Sequence, residues 1–308
     1  MEVIRSFDQL QPLGQRFSLA IGVFDGVHRG HQVVLRAALD DAQACGGQAV
    51  AVTFDPHPMR VLAPSRAPLL LTSTPHKLAL ISQLGVPISL VINFDREFAA
   101  MSPEEFIEMV GNRTPELQTI CVGSRFHFGS QRMGDAALIR AHSVGCSFRL
   151  HELDSVMLEG EVISSTAVRQ AVALGDLEKA VKMLGRPFSI LGTVVAGDQM
   201  GRKLGYPTAN LNRHSEVAPP NGVYAVCARI AGQLRSGLVN IGLRPTIASG
   251  ARTPLLELHV LDFTGDLYSQ DIEVFFIARL RDEKKFPSLD DLRVQIQRDE
   301  QQARQILT

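Results

Sequence analysis

Residues 22–31 read Gly22-Val23-Phe24-Asp25-Gly26-Val27-His28-Arg29-Gly30-His31, between the apolar run Phe17–Gly22 and a stretch, His31–Cys45, with apolar residues at helical spacing. A short apolar run followed by a 3.6-residue period predicts a strand, a glycine-rich loop and a helix. Glycines let a backbone approach a phosphate closely. A helix start offers unpaired N–H donors and the positive end of a dipole. Two histidines three apart, with a small residue between them, can aim their ring N–H groups at one phosphoryl group. A lone histidine carries little information, but His-x-Gly-His between a strand and a helix start is specific.

Working outward, the first 185 residues keep alternating. Gln48–Phe54, Ile88–Phe94, Thr119–Gly123 and Ser147–Leu150 read as strands, and Pro75–Leu84, Pro103–Val110 and Gly134–His142 as helices. Such alternation predicts βαβ units, hence a Rossmann-like α/β domain with a parallel sheet and helices on both faces. Ligands then bind beyond the carboxyl ends of the strands. A helical stretch, Thr166–Leu184, closes this half, and Gly185-Arg186-Pro187 interrupts it. The pattern then changes to Phe188–Val195, Val223–Ile230, Leu238–Ile241, Leu255–Leu261 and Ile272–Ala278, separated by turn residues. Strands without intervening helices predict an antiparallel barrel or sandwich, and an amphipathic stretch, Leu289–Ile306, predicts a terminal helix. Two domains are expected, 1–185 and 186–308.

Composition narrows the class. Of 308 residues 45% are hydrophobic and 20% charged, as in a globular protein. With 31 basic and 32 acidic side chains and a net charge of -1, no basic footprint for nucleic acid is present. Cys45, Cys121, Cys146 and Cys227 form no CxxC pair, which argues against a disulfide framework or a zinc site and for a reducing compartment. No signal-like N-terminus and no run of about 20 apolar residues is found, so cytoplasmic placement without a membrane is expected.

A second element, Ser164-Ser165-Thr166-Ala167-Val168-Arg169, has the form of a capped helix start, where hydroxyls and free amides can hold phosphate and Arg169 can neutralise it. The two motifs, about 130 residues apart, resemble the nucleotidyltransferase superfamily with HxGH and SSTxxR signatures. The resemblance implies in-line attack of an acceptor phosphate on the α-phosphorus of ATP, with release of pyrophosphate. His28, His31 and Mg²⁺ would stabilise the developing charge. Gly22, Phe24, Asp25, Gly26, Gly30, Ser164, Ser165, Thr166 and Arg169 would surround ATP and its phosphates.

Further residues narrow the branch. Thr53-Phe54-Asp55-Pro56-His57-Pro58 follows the second strand, and Leu70-Leu71-Thr72 precedes Lys77. The second half carries Gly197, then Gly201-Arg202-Lys203-Leu204-Gly205-Tyr206-Pro207-Thr208-Ala209-Asn210. After these come Asn221-Gly222-Val223-Tyr224, Asn240-Ile241-Gly242-Leu243-Arg244-Pro245-Thr246, Glu257-Leu258-His259 and Asp262-Phe263-Thr264-Gly265-Asp266-Leu267-Tyr268. The glycine-rich stretch is no P-loop, since no Gly-Lys-Ser/Thr ends it, but it can form a nest of amides for ATP phosphates. Thr208 and Asn210, at i and i+2, lie on one side of an extended segment and suit a hard Mg²⁺, or else form part of a plain turn. Glu257 shares a face with His259 in an apolar strand, either partly buried or solvated. This series resembles the bacterial bifunctional riboflavin kinase/FAD synthetase family.

That resemblance implies two activities: ATP-dependent phosphorylation of riboflavin to FMN by a C-terminal β-barrel, and adenylylation of FMN to FAD by the N-terminal domain. It makes Glu257 the general base for the riboflavin 5′-hydroxyl, and Thr208 and Asn210 contacts of Mg²⁺-ATP. It adds Gly197, Gly201, Lys203, Gly205 and Pro207 to the kinase's ATP site. The chain departs from the family at Gly123-Ser124-Arg125-Phe126-His127, where an Asp or Asn near position 125 and an Arg near 127 are usual. Arg125, with His57, is expected near the flavin or nucleotide.

Overall fold

The structure is a computed structural model that describes residues 1–114, 116–144, 148–195, 206–212, 215–245 and 252–307. The chain forms two compact units. One comprises Met1–Leu69 and Thr74–Ser165, the other Leu70–Ser73 and Thr166–Thr308. The contact division thus falls at Ser165/Thr166, twenty residues before the pattern break at Gly185.

The first unit is the expected α/β domain. Its strands are β1 (Glu2–Ile4), β2 (Phe17–Ile21), β3 (Gln48–Asp55), β4 (Ile88–Asn93), β5 (Leu117–Gly123) and β6 (Arg149–Leu153). They form one parallel sheet in the order β1-β4-β3-β2-β5-β6. Its helices of eight or more residues are α1 (Arg29–Ala44), α3 (Thr74–Gln83), α5 (Pro103–Arg113) and α6 (Ala136–Ser143), with the short α2 (Pro58–Leu62) and α4 (Arg96–Ala100) between. β2 is buried along its whole length, so it reads as a continuous apolar run. One face of the sheet carries large residues, Leu19, Val50, Val52, Leu90 and Ile120, against Phe106, Ile107 and Val110 of α5. The other carries Ala20, Ala49, Ala51 and Cys121 beneath Leu35 and Ala38 of α1 and Leu80 and Ile81 of α3. Alternation of large and small side chains along one strand therefore sets which helix packs on which face.

In the second unit, the expected single helical stretch is two helices, α7 (Ser165–Leu174) and α8 (Leu177–Leu184). The break falls at Gly175, after which Asp176 caps α8 through the amide of Lys179. The second half then closes into a barrel in the order β10-β13-β12-β11-β14-β9. These are β9 (Ser189–Val195), β10 (Ala209–Asn212), β11 (Gly222–Ile230), β12 (Gln233–Pro245), β13 (Arg252–Val260) and β14 (Asp271–Arg281), every neighbouring pair antiparallel. A two-stranded hairpin, β7 (Met157–Leu158) with β8 (Glu161–Val162), precedes α7.

Ile190, Leu211, Val226, Val239, Leu256 and Phe276 alternate into the barrel and are buried. Outside, Val223, Ala225 and Leu238 pack with Ala303 of the terminal helix α9 (Leu289–Leu307). Arg281 clamps that helix by donating to both oxygens of the buried Asp299, at 3.0 and 2.9 Å. Losing one side of such a pair costs on the order of 3 kcal/mol. Four strands, β1, β7, β8 and β10, were not expected from the sequence. Ser147, the expected start of the fifth strand, lies outside the described residues, and β6 begins at Arg149.

Candidate active sites

The loop after β2 is held by its own carbonyls. Val23 O accepts from Thr53 Oγ1 at 2.9 Å and from Lys77 Nζ at 3.3 Å. Asp25 O accepts from Ser165 Oγ, and Val27 O from Gln32 Nε2, both at 2.9 Å. Phe24 and Val27 adopt left-handed φ values of 53° and 41° with their side chains buried. Each such conformation costs of order 1–3 kcal/mol and clusters at functional sites. A Cβ on Gly22 would stand 2.9 Å from the Phe24 ring, and one on Gly30 would stand 3.1 Å from the His28 ring. The residue between the histidines is therefore small because the His28 ring lies over it. Asp25 is buried, and Gly26 takes a left-handed φ of 81° at the turn.

His28 is the N-cap of α1, its Nδ1 accepting from the His31 amide at 3.3 Å. With Nδ1 an acceptor, the neutral ring carries its proton on Nε2. The two imidazoles stack at 3.6 Å with 20° between planes, and Phe24 meets His31 edge-on. Burial first, then His28 and Lys77, hold the His31 pKa well below the usual histidine range. His31 is thus a neutral ring, and its Nδ1 is buried without a hydrogen-bond partner among the described residues. Ser164 is half-buried just before α7, while Thr166 and Arg169 lie on that helix and belong to the second unit.

Lys77 was not expected at this site. Its Nζ donates to Val23 O, to Thr53 Oγ1 at 2.9 Å and to Phe54 O at 3.1 Å, joining the loop to the end of β3. Burial lowers its pKa to about 8, with Asp25 and Asp55 opposing. The sequence did carry a signal: Lys77 stands three and four residues before the buried Leu80 and Ile81, on the apolar stripe of α3.

An aromatic cavity of about 250 Å³, also unforeseen, is lined by Phe94, Phe98, Met101, Phe106, Gly129 and Arg132 among others. Phe94, Phe98 and Phe106 meet in successive edge-on pairs, a wall suited to a flat apolar ring. His57 caps α2, with Nδ1 accepting from the Met59 amide at 3.1 Å. Arg125 is exposed in the turn after β5, and its carbonyl accepts from His127 Nδ1 at 3.1 Å.

In the barrel, the register sets Asn210 of β10 and Asn240 of β12 opposite Glu257 of β13, from either side. The flanking Leu256 and Leu258 point into the barrel, so the half-buried Glu257 and the two amides face outward. Asn210 Oδ1 is buried with no hydrogen-bond partner among the described residues. His259 Nδ1 donates to Pro207 O at 2.8 Å, and its ring meets Tyr206 edge-on, which holds the segment carrying the exposed Thr208. Pro207, Thr208, Leu258, Phe263, Asp266 and Tyr268 line part of a cavity of about 520 Å³. Gly197, Gly201, Lys203 and Gly205 lie outside the described residues.

Fold and loop together define a nucleotide-handling α/β unit of the doubly wound class, followed by a closed antiparallel barrel with an acid set between amides. Comparison with known proteins agrees. The FAD synthetase family matches residues 11–167 and the riboflavin kinase family residues 184–307. The chain is 38% identical over 305 residues to the bifunctional riboflavin kinase/FMN adenylyltransferase of Haemophilus influenzae, covering 99% of this chain and 98% of the relative. It is 39% identical to that of Escherichia coli K12, covering 99% and 97%. A solved structure described as a macrolide-efflux protein from Streptococcus pneumoniae superposes with a TM-score of 0.84 at 29% identity, over 98% of both chains. Among the described residues no helix is long and apolar enough to cross a membrane. The chain belongs to the bifunctional riboflavin kinase/FMN adenylyltransferase family.

Proposed function

We propose that the barrel phosphorylates riboflavin to FMN and that the N-terminal unit joins FMN to the adenylyl group of ATP, yielding FAD and pyrophosphate. One observation carries the assignment of the second step: the stacked His28–His31 pair at the start of α1, with His31 held neutral by its burial. His28 carries its proton on Nε2, and the α1 start adds the positive end of the helix dipole. Both stabilise charge on the α-phosphate as an FMN phosphate oxygen attacks it and the bond to pyrophosphate breaks. Because the loop carbonyls already have donors, these groups stand in place before ATP arrives. The Phe94–Phe98–Phe106 wall suits the isoalloxazine ring, with His57 and Arg125 as candidate contacts of flavin or phosphate. Ser164, Ser165, Thr166 and Arg169 are candidate contacts of the ATP phosphates.

In the barrel, Glu257 takes the proton of the riboflavin 5′-hydroxyl as that oxygen attacks the γ-phosphorus and ADP leaves. The cavity beside Thr208 suits ATP, with Pro207 shaping the approach and Gly197, Gly201, Lys203 and Gly205 proposed as its phosphate loop. The unpartnered Asn210 Oδ1 and the hydroxyl of Thr208, two residues before it, are oxygen donors of the kind that suits Mg²⁺. When bound there, Mg²⁺ supplies neutralisation of phosphate charge. The cytoplasm suits both reactions, since Cys45, Cys121 and Cys227 are free thiols.

Incubation with riboflavin, ATP and Mg²⁺, followed by chromatography, tests the reading. FMN followed by FAD is expected. FMN alone would remove the transferase assignment, and no product would remove both.

A further inference from the structure

Asp41, Cys121 and His151 bring three kinds of ligand atom to one point of the first unit. Asp41 lies near the end of α1, Cys121 on β5 and His151 on the edge strand β6, where the parallel register makes Cys121 and His151 direct partners. Cys121 Sγ donates to Asp41 Oδ2 at 3.4 Å, and His151 Nδ1 lies 3.0 Å from the same oxygen. All three ligand atoms stand within 4.8 Å of one another. We infer that this cluster is a binding site for a zinc-class divalent cation, held by Cys121 Sγ, His151 Nδ1 and Asp41 Oδ2 with solvent at the fourth position.

Two of the three ligand–ligand edges are close to those of a tetrahedron. Zinc bonds of about 2.3 Å to sulfur and 2.0–2.2 Å to nitrogen and oxygen give ligand–ligand edges of roughly 3.3–3.6 Å. The observed 3.0 and 3.4 Å separations are within a few tenths of an ångström of those edges. Charge agrees too, because one thiolate and one carboxylate balance a divalent ion. Cys121 is buried and forms the inner wall, while His151 is about half exposed and Asp41 about a quarter exposed, which leaves an entry path and room for water.

Binding exchanges protons for metal. The Cys121 thiol proton leaves to solvent, and the proton on His151 Nδ1 is replaced by one on the exposed Nε2, so one proton is released per ion. Burial and Asp41 hold the thiol pKa far above its ordinary value when no metal is bound, so the thiolate forms with the metal rather than before it. Asp41 lies ten residues beyond His31 on α1, about 15 Å along the helix, so the site is separate from the His-x-Gly-His loop. Its role is to fasten the far end of α1 to strands β5 and β6.

The test uses the full chain after dialysis against a chelator, titrated with Co²⁺. A thiolate-to-cobalt charge-transfer band is expected, saturating at one ion per chain and displaced by Zn²⁺. It should vanish in Cys121→Ser, and the Co²⁺ affinity should fall at least tenfold in His151→Gln. His151 is exposed enough for its variant to keep the fold, which circular dichroism checks. No band in the wild-type chain, a band that survives Cys121→Ser, or an affinity unchanged by His151→Gln would overturn the assignment.

Discussion

Lys77 shows how much one buried cation can organise. Its ammonium holds the loop carbonyl of Val23 and the end of β3, at the cost of a pKa lowered to about 8 from 10.5. Lys77→Met should leave Val23 O with the Thr53 hydroxyl as donor but cut the tie from the loop to α3, letting the histidine loop shift and reducing FAD formation on the order of 10²-fold while FMN formation persists. The same pKa gives a second readout. Between about pH 8 and 10.5 the unfolded lysine keeps a proton that the folded one has lost. Unfolding then takes up a proton, and stability rises with pH across that window. Urea unfolding of the first unit should show that rise in the wild-type chain, and Lys77→Met should flatten it. At the proposed transferase site, His31→Ala should lower FAD formation by about 10²–10³ and spare FMN formation. Glu257→Gln, which keeps shape but cannot take a proton, should do the reverse. Separate assays with FMN and with riboflavin as substrate distinguish the two, and a joint loss in either variant would point to misfolding.

Between elements, one pair ties the terminal helix to a wall of the barrel cavity. Arg304 of α9 donates to both oxygens of Asp262, at 2.7 and 2.8 Å, where the 262–268 segment that helps wall the cavity begins. Both side chains are exposed, so the pair adds little to stability. Its effect lies in placing the wall. Arg304→Ala should raise the kinase KM for ATP severalfold with kcat and melting temperature nearly unchanged, as steady-state kinetics and calorimetry would record. Elements differ in how far sequence betrays them. β2 and β3 are uninterrupted apolar runs, and α1 follows a glycine loop, so their types were legible. β1 and β10, of three and four residues, are too short to show a period and form because β4, β9 and β13 supply their partners. The histidine loop and the strand carrying Glu257 could be recognised locally. The phenylalanine cavity could not, since only the fold brings Gly129 and Arg132 against Phe94, Phe98 and Phe106.

At the scale of the whole molecule, the chain divides by contact at Ser165/Thr166, while the riboflavin kinase match begins at residue 184. α8 buries Leu177, Ala180, Met183 and Leu184 and packs against β14. Directly after it, the half-buried Arg186 stands near Glu273 of that strand. A fragment of residues 166–308 should therefore fold and phosphorylate riboflavin, with a higher melting temperature than one of residues 186–308. Circular dichroism and FMN formation would check both, and equal melting temperatures would show that α7 and α8 do not support the barrel. The two sheets also differ in how they end. The barrel closes on itself, so each strand has a neighbour on both sides and offers no row of open backbone groups to another chain. The parallel sheet stops at β1 and β6, and there the safeguard is chemical: β1 is three residues long, and β6 turns Arg149, His151 and Glu152 toward solvent. One half of the chain thus resists edge-to-edge aggregation by closure and the other by shortness and charge, and neutralising Arg149 and Glu152 would place the hazard at β6.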